Sequence, residues 1–333
     1  MQQIAKIAVA AIISYIFTKS ALPIFLTKLS KAGMGGFDLN KPRENQKEKT
    51  PEAGGIVGLF VFSMICGLFK GIHGLLSACI CSGLLGFADN VLNLEWRWKL
   101  IVPAFTLIPL CSYYQENYNF DIQFLGFNFT LPTALTYAYI IFFSIFCQNA
   151  VNIYAGINGI EVGQSIVAQL FALIYLVMKN INQPFTGGYY YSAIISTIFI
   201  ATSLALLKFN KYPAKVFVGD VFTYFAGCVY VTSAVCGDYL IMAIFLYFMQ
   251  MINFLLSVPQ LIGIIPCPRH RLPQLNKDDG KLYGKTENWN LINQYLLRIV
   301  RAGLGEKQIW QHLITIQVIG SACILCIYKL SLK

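Results

Sequence analysis

Ten apolar runs leave this chain few ways to fold. They occupy residues 4–26, 54–70, 72–88, 100–114, 131–149, 160–178, 188–207, 217–236, 239–264 and 309–328. Each is long enough, or nearly so, to cross a hydrocarbon layer roughly 30 Å thick as a helix. The expected architecture is an all-α polytopic membrane protein with about ten transmembrane helices. The fourth run is short for a lone helix, so it must tilt or be shielded by neighbours. Charged residues make up only 12% of the 333 positions, whereas soluble domains carry about a quarter. Lys6 before "IAVAAIISYIF" imitates a signal peptide, but no small-residue cleavage site follows, and the run reads as the first span.

If the ten runs alternate across the membrane, connectors 27–53, 89–99, 150–159, 208–216 and 265–308 share one side. Together they hold 19 of the 25 Lys and Arg, while the opposite connectors hold only Lys70 and Lys179. The positive-inside rule makes the basic side cytosolic and puts both termini on the other side. The net charge of +10 therefore reports orientation. Its basic residues are spread over short connectors rather than gathered on a soluble domain, so no nucleic-acid partner is expected. The chain reads as one integral membrane domain, 1–333, with a cytosolic insertion at 265–308 between the ninth and tenth helices. Within that insertion Asp279-Gly280 sits between short alternating runs, the pattern of a hairpin turn. The sequon "NFT" at 128–130 falls on the opposite, lumenal side, against the fifth span.

One stretch breaks the apolar pattern. "QNAVNIYAGINGIEVGQS", residues 148–165, sets Asn149, Asn152, Asn158 and Glu161 within a few helical turns of an apolar span. An amide in hydrocarbon needs water, a partner or a ligand. On the alternating topology this stretch opens to the basic side. So do Asp89 of "LGFADN", Lys99 of "WRWKL", Asp220 of "KVFVGD", and Arg269, His270 and Arg271 of "CPRHR". Each has a plain reading alone: Lys99 anchors a helix end, Asp220 favours a helix N-terminus, and the Asn residues bridge helices. Five such groups converging on one rim argue for a site.

Asp and Asn oxygens without a Cys or His cluster suit a hard cation such as Mg2+, held by one or two protein ligands and by substrate phosphates. Lys99, Arg269 and Arg271 would meet the remaining phosphate charge. Gly156 and Gly159 would let backbone approach a ligand closely. Other templates fit poorly. "GKLYGKT", 280–286, has three residues between its glycines where a P-loop needs four. His73, His270 and His312 have no Ser or Cys partner suggested by spacing. Nine of the ten cysteines lie in or beside apolar runs, and the Cys323-x-x-Cys326 pair sits in a membrane run without a second ligand pair. A transporter would gather its polar residues near mid-bilayer rather than at one rim.

Several motifs, in order from residue 37 to 276, carry a resemblance: "FDLNK", "PEAGG", "LGFADNVLNLEWRWKL", "NAVNIYAGINGIEVGQS", "VFVGDVFTYFAG" and "SVPQLIGIIPCPRHRLPQLN". The sequence resembles the eukaryotic UDP-N-acetylglucosamine:dolichyl-phosphate N-acetylglucosamine-1-phosphate transferases. The wider superfamily includes the bacterial phospho-MurNAc-pentapeptide transferases, but the "CPRHR" loop is similar to the eukaryotic branch. The resemblance implies a ten-helix fold in the endoplasmic reticulum membrane with a cytosolic active site, and membership of a homodimer. It implies magnesium-dependent transfer of GlcNAc-1-phosphate from UDP-GlcNAc to dolichyl phosphate, the first step of lipid-linked oligosaccharide synthesis for N-glycosylation. A related transferase using another sugar or polyprenol is the alternative.

The resemblance also implies residue roles. Asp220 and Asn152 would bind magnesium, Lys99 would contact phosphate or an acidic partner, Asp89 would belong to the catalytic set, and Arg269 would contact the diphosphate. His270 and Arg271 would shape the amino-sugar pocket. Uracil would lie near Asn158 and the Leu39 backbone, stacked between Phe217 and Gly156, with Asn149 and Glu52 as further candidates. One position departs from the family pattern, which has two adjacent aspartates where this chain has Asp89 and Asn90. An amide accepts a hydrogen bond but takes no proton at neutral pH, so a second carboxylate base is missing. The lipid phosphate, with a second pKa of about 6, needs none.

Overall fold

The computed structural model describes residues 2–41, 49–124, 127–268 and 271–331. The apolar runs form helices α1 (Gln2–Lys31), α2 (Gly55–Gly67), α3 (His73–Leu92), α4 (Trp96–Thr106), α5 (Ile108–Asn117), α6 (Thr133–Tyr154), α7 (Ile160–Lys179), α8 (Gly187–Asn210), α9 (Gly219–Cys236), α10 (Leu240–Leu246) and α11 (Phe248–Leu261). A short α12 (Leu291–Tyr295), extended by a π-helical turn over Leu296–Val300, precedes α13 (Glu306–Ser331). Three two-stranded antiparallel ribbons complete the described chain: β1 (Gly35–Gly36) with β2 (Thr50–Pro51), β3 (Asp121–Phe124) with β4 (Phe127–Thr130), and β5 (Gln274–Leu275) with β6 (Leu282–Tyr283).

The protein is an all-α polytopic membrane protein. Among the described residues, seven helices are long and apolar enough to cross a membrane, and an eighth arises if α10 and α11, bent by 70°, form one span. The other apolar runs are shorter as helices. α2 has 13 residues, about 20 Å of helix at 1.5 Å per residue. The fourth run divides into α4 and α5 around Leu107, with Pro109 in the first turn of α5. Proline lacks the N–H that would bond one turn back, and its ring crowds that carbonyl, so the helix restarts there.

The bundle is organised around α9, whose residues from Val221 to Cys236 are all buried. α3, α6 and α8 pack against it. Close approach depends on small residues, the usual device in membrane bundles. A Cβ on Gly227 would fall 2.4 Å from the Gln148 backbone nitrogen of α6, and one on Gly86 of α3 would fall 2.3 Å from the Asp220 carbonyl oxygen. Gln169 ties three helices together, its Nε2 donating to Ser196 Oγ at 2.7 Å and Ser233 Oγ at 2.8 Å. At the periphery, α1 turns Ile4, Val9, Ile12 and Phe17 outward and α13 turns Ile319, Ile327 and Leu330 outward. Such faces suit lipid, where apolar exposure carries no penalty. Cys323 and Cys326 are exposed on α13. Asn128 pairs in register with Gln123 on the β3–β4 ribbon; its side chain lies outside the described residues.

The segment between α11 and α13 has its own core. Leu282, Ile292 and Leu296 pack with Tyr154, Ile160 and Leu313, which seats the segment on the ends of α6, α7 and α13. The β5–β6 register pairs Gln274 with Tyr283 and Leu275 with Leu282. In the turn between them Gly280 has φ +65° and Asp279 Oδ1 accepts the Lys281 N–H at 3.0 Å.

Candidate active site

One end of the bundle collects the polar residues that the sequence scatters. The C-terminal ends of α3 and α6 and the N-terminal ends of α4, α7, α9 and α13 meet there, with the segment after α1 and the segment after α11 closing over them. A pocket of about 450 Å³ opens at this end, and Leu39, Glu52, Asn152, Gly156, Asn158, Phe217, Asp220 and Arg271 all line it. The volume is that of a small-molecule site.

Asp220 lines the pocket, and Asp89, which with Lys99 lies outside the lining, is in hydrogen-bonding contact with Asp220; the two carboxylates are in different electrical situations. Asp89, with a side chain 2% exposed, is ion-paired with Lys99 Nζ at 2.6 Å. It also accepts the Leu94 N–H at 2.9 Å through Oδ1 and the Tyr224 hydroxyl at 3.5 Å through Oδ2. Its charge is thus compensated by the protein. Asp220 is half-buried beside it and accepts a hydrogen bond from Asn152 Nδ2, which also reaches Thr223 Oγ1 at 3.4 Å. Among the described residues no Lys or Arg forms an ion pair with Asp220. Lys99 acts on Asp220 only through its field while pairing directly with Asp89, and a partly buried carboxylate beside another carboxylate favours an added cation. An Asp220 oxygen, with the Asn152 amide oxygen after rotation of the amide, could supply two oxygen donors to a hard divalent ion.

Asn90, the departure from the family pattern, has a structural task. Its Oδ1 accepts the Val221 N–H at 3.2 Å, one of the unbonded donors in the first turn of α9. This contact fixes the turn that carries Asp220.

The opposite wall joins the expected Asn158, Gly156, Phe217 and Glu52 to Asp38, Asn40 and Glu306, which the sequence reading left without roles. Asn158 donates through Nδ2 to Asp38 Oδ2 at 2.9 Å, and its backbone N–H donates to Glu306 Oε1 at 2.6 Å. Asn40 Nδ2 donates to the Gly156 carbonyl at 3.0 Å and to Glu306 Oε1 at 3.5 Å. The segment after α1, the α6–α7 turn and the start of α13 are therefore bonded into one frame. At Gly156 a Cβ would come 3.0 Å from Ile292 Cδ1, so the glycine keeps this wall clear. Phe217 is held by its backbone, its N–H donating to the Pro51 carbonyl at 2.8 Å and its carbonyl accepting the Gly54 N–H at 3.0 Å. Burial raises the Glu52 pKa above its ordinary 4.5.

Arg271 comes from the segment after α11, and an amide lattice holds it. Its carbonyl accepts Asn290 Nδ2 at 2.7 Å and Asn293 Nδ2 at 3.0 Å. Asn288 Nδ2 donates to the neighbouring Leu272 carbonyl at 2.8 Å, and Gln260 Nε2 donates to the Pro266 and Glu287 carbonyls at 2.8 and 2.9 Å. The guanidinium is less well served. Nη1 is buried without a hydrogen-bond partner, and burial pushes the Arg271 pKa down. A cationic donor in that state gains strongly from an anion entering the pocket. Arg269 and His270 lie outside the described residues. Asn149 does not join the pocket, since its Nδ2 donates back to the Ile145 carbonyl at 2.8 Å.

Fold and site together define a polytopic membrane protein with a pocket of carboxylates, amides and an arginine at one end of its bundle. The profile of glycosyl transferase family 4 matches residues 72–238, and the chain belongs to that family. Among similar proteins, the UDP-N-acetylglucosamine–dolichyl-phosphate N-acetylglucosaminephosphotransferase of Dictyostelium discoideum is 35% identical across 91% of this chain and 83% of its own length. The Schizosaccharomyces pombe protein of the same name is 30% identical across 84% of this chain and 73% of its own. That of Saccharomyces cerevisiae is 38% identical across 64% of this chain and 50% of its own. The matched region contains Asp89, Lys99, Asn152, Asn158 and Asp220, whereas Asp38, Arg271 and Glu306 lie outside it.

Proposed function

We propose that this protein transfers N-acetylglucosamine 1-phosphate from UDP-GlcNAc to dolichyl phosphate. The products are GlcNAc-diphosphate-dolichol and UMP, and the reaction is the first step of lipid-linked oligosaccharide synthesis for protein N-glycosylation. One observation carries the reading: residues of the transferase motifs, from Leu39 to Arg271, line a single pocket. The Dictyostelium relative, 35% identical across 91% of this chain, bears the name of that activity.

In this reading the enzyme spans the endoplasmic reticulum membrane ten times, with α2, the α4–α5 pair and the α10–α11 pair as its short or bent crossings. The pocket faces the cytosol, on the side of the basic connectors, and residues 265–308 form a cytosolic insertion. The lipid tail lies along the apolar helices, and the protein is a homodimer, as the family resemblance implies.

Asp220 and Asn152 would hold a magnesium ion, which when bound offsets the negative charge of the diphosphate and polarises its phosphorus centres. The protein's own groups orient the reactants. Arg271, with Arg269, meets the phosphate oxygens, and Lys99 holds Asp89 neutralised beside Asp220, which keeps like charge from accumulating at the inner wall. Asn158, Leu39, Phe217 and Gly156 receive the uracil, and His270 helps shape the amino-sugar pocket. An oxygen of dolichyl phosphate attacks the β-phosphorus in line. As that P–O bond forms, the bond to the oxygen bridging the two phosphates breaks, and its electron pair leaves with UMP. The attacking phosphate is already ionised at neutral pH, which agrees with Asn90 serving a backbone N–H rather than a proton transfer.

The test is UMP release by detergent-solubilised protein given dolichyl phosphate and UDP-GlcNAc, UDP-GalNAc or UDP-MurNAc-pentapeptide in turn, with and without EDTA. Chelator-sensitive release favouring UDP-GlcNAc is expected. No release, or preference for another sugar nucleotide, overturns the proposal.

A further inference from the structure

We propose that Asp38 makes the pocket selective for uracil by fixing which end of the Asn158 side-chain amide is left for the base. The inference rests on the proposed use of a uridine nucleotide.

An amide side chain is nearly symmetric in shape and opposite in hydrogen-bonding sense at its two ends. Uracil presents an N3–H donor, while cytosine presents a bare N3 acceptor beside an amino group. An Asn free to rotate about its last bond serves either base by turning over. Asn158 is not free. Its Nδ2 donates to Asp38 Oδ2 at 2.9 Å. Turning the amide over would bring Oδ1 against that carboxylate oxygen, acceptor facing acceptor.

Asp38 is itself held as an acceptor. Its Oδ2 is ion-paired with Lys41 Nζ at 3.1 Å, and its Oδ1 accepts the Asn40 N–H at 3.2 Å. At least three donors among the described residues thus converge on one carboxylate whose side chain is 5% exposed. Asn158 cannot shift to escape, because its backbone N–H is bonded to Glu306 Oε1 at 2.6 Å and the nearby Gly156 carbonyl is bonded to Asn40. Asp38, Asn40, Gly156 and Asn158 all line the pocket. Asn158 therefore offers its acceptor oxygen to a ligand, and Asp38 is a positioning residue that acts through it. A site with a fixed acceptor accommodates N3–H and rejects the cytosine edge, since the mismatch leaves two acceptors facing each other.

The experiment measures dissociation constants of UMP, CMP and N3-methyl-UMP on the detergent-solubilised full chain, wild type and Asp38→Ala, with thermal unfolding to verify folding. The wild type is expected to bind UMP about ten- to a hundredfold more tightly than CMP or N3-methyl-UMP. In D38A the UMP-to-CMP ratio should fall to within about threefold of unity as the amide becomes free to turn. Asp38→Glu keeps an acceptor-only group that cannot turn over to offer a donor and should retain more of the ratio than D38A. A general loss of packing would weaken both nucleotides together and leave their ratio as it was. A D38A protein with the wild-type ratio, or a wild type that binds N3-methyl-UMP as tightly as UMP, overturns the proposal. If wild-type protein binds neither UMP nor UDP-GlcNAc, the assigned function has failed instead, a separate result.

Discussion

At the end of the bundle away from the pocket, Asp238 is closed off by its neighbours. Lys179 Nζ pairs with its Oδ2 at 3.0 Å, the Tyr114 hydroxyl donates to its Oδ1 at 3.0 Å, and the Tyr118 hydroxyl donates to the nearby Cys236 carbonyl at 2.6 Å. At the pocket end, Arg271 Nη1, Asn40 Oδ1 and Glu306 Oε2 are buried with no hydrogen-bond partner among the described residues. Each such atom costs about 1–3 kcal/mol relative to a satisfied one. The far end spends its polar groups on architecture, and the pocket end holds several in reserve for a ligand. Mutations at the two ends should therefore separate activity from stability.

The largest effect belongs to Asp220→Asn. The amide preserves shape but removes a pocket carboxylate that has no ion-pair partner among the described residues, so UMP release should drop at least about a thousandfold while the thermal midpoint moves little. Near wild-type turnover would break the assignment of Asp220. Arg271→Met comes next: UDP-GlcNAc binding should weaken about ten- to hundredfold. Because the substitution also removes an unpartnered buried donor, the unliganded protein should melt no lower than wild type and up to about 3 °C higher. A melting point lowered along with the affinity would mean that Arg271 supports the fold. The smallest effect is expected at the far end. Asp238→Asn weakens a partly exposed ion pair, worth about 0–1 kcal/mol. It should lower the melting midpoint by about 1–3 °C and leave UMP release at the wild-type rate.

Much of this contrast was legible in the sequence, for physical reasons that differ from residue to residue. Asp220, Asn152 and Asn158 stood out because polar side chains beside apolar spans need a reason to be there. Simple alternation of the spans brought them to one rim. The restart of the fourth run was not anticipated, although Pro109 was its cause, because hydropathy counts apolar residues and proline scores as an ordinary one. Asp38 and Asn40 lay within "FDLNK", but a five-residue motif does not reveal that its acid will meet an amide 120 residues away. The amides Asn288, Asn290 and Asn293 formed a visible cluster whose target, the backbone around Arg271, depends on tertiary folding. Glu306 gave no signal, since an acidic residue in the first turn of a helix is ordinary.

The bond from Asn158 to Glu306 spans 148 residues of chain. Ribosomes deliver membrane helices in order, so Asp220 and Asn152 enter the bilayer well before the acceptor that braces the base-binding turn. A nascent chain halted short of Glu306 would carry the Asp220 wall of the pocket with the Asn158 wall unbraced. The two walls of the pocket therefore become a single frame only once α13 has joined the bundle.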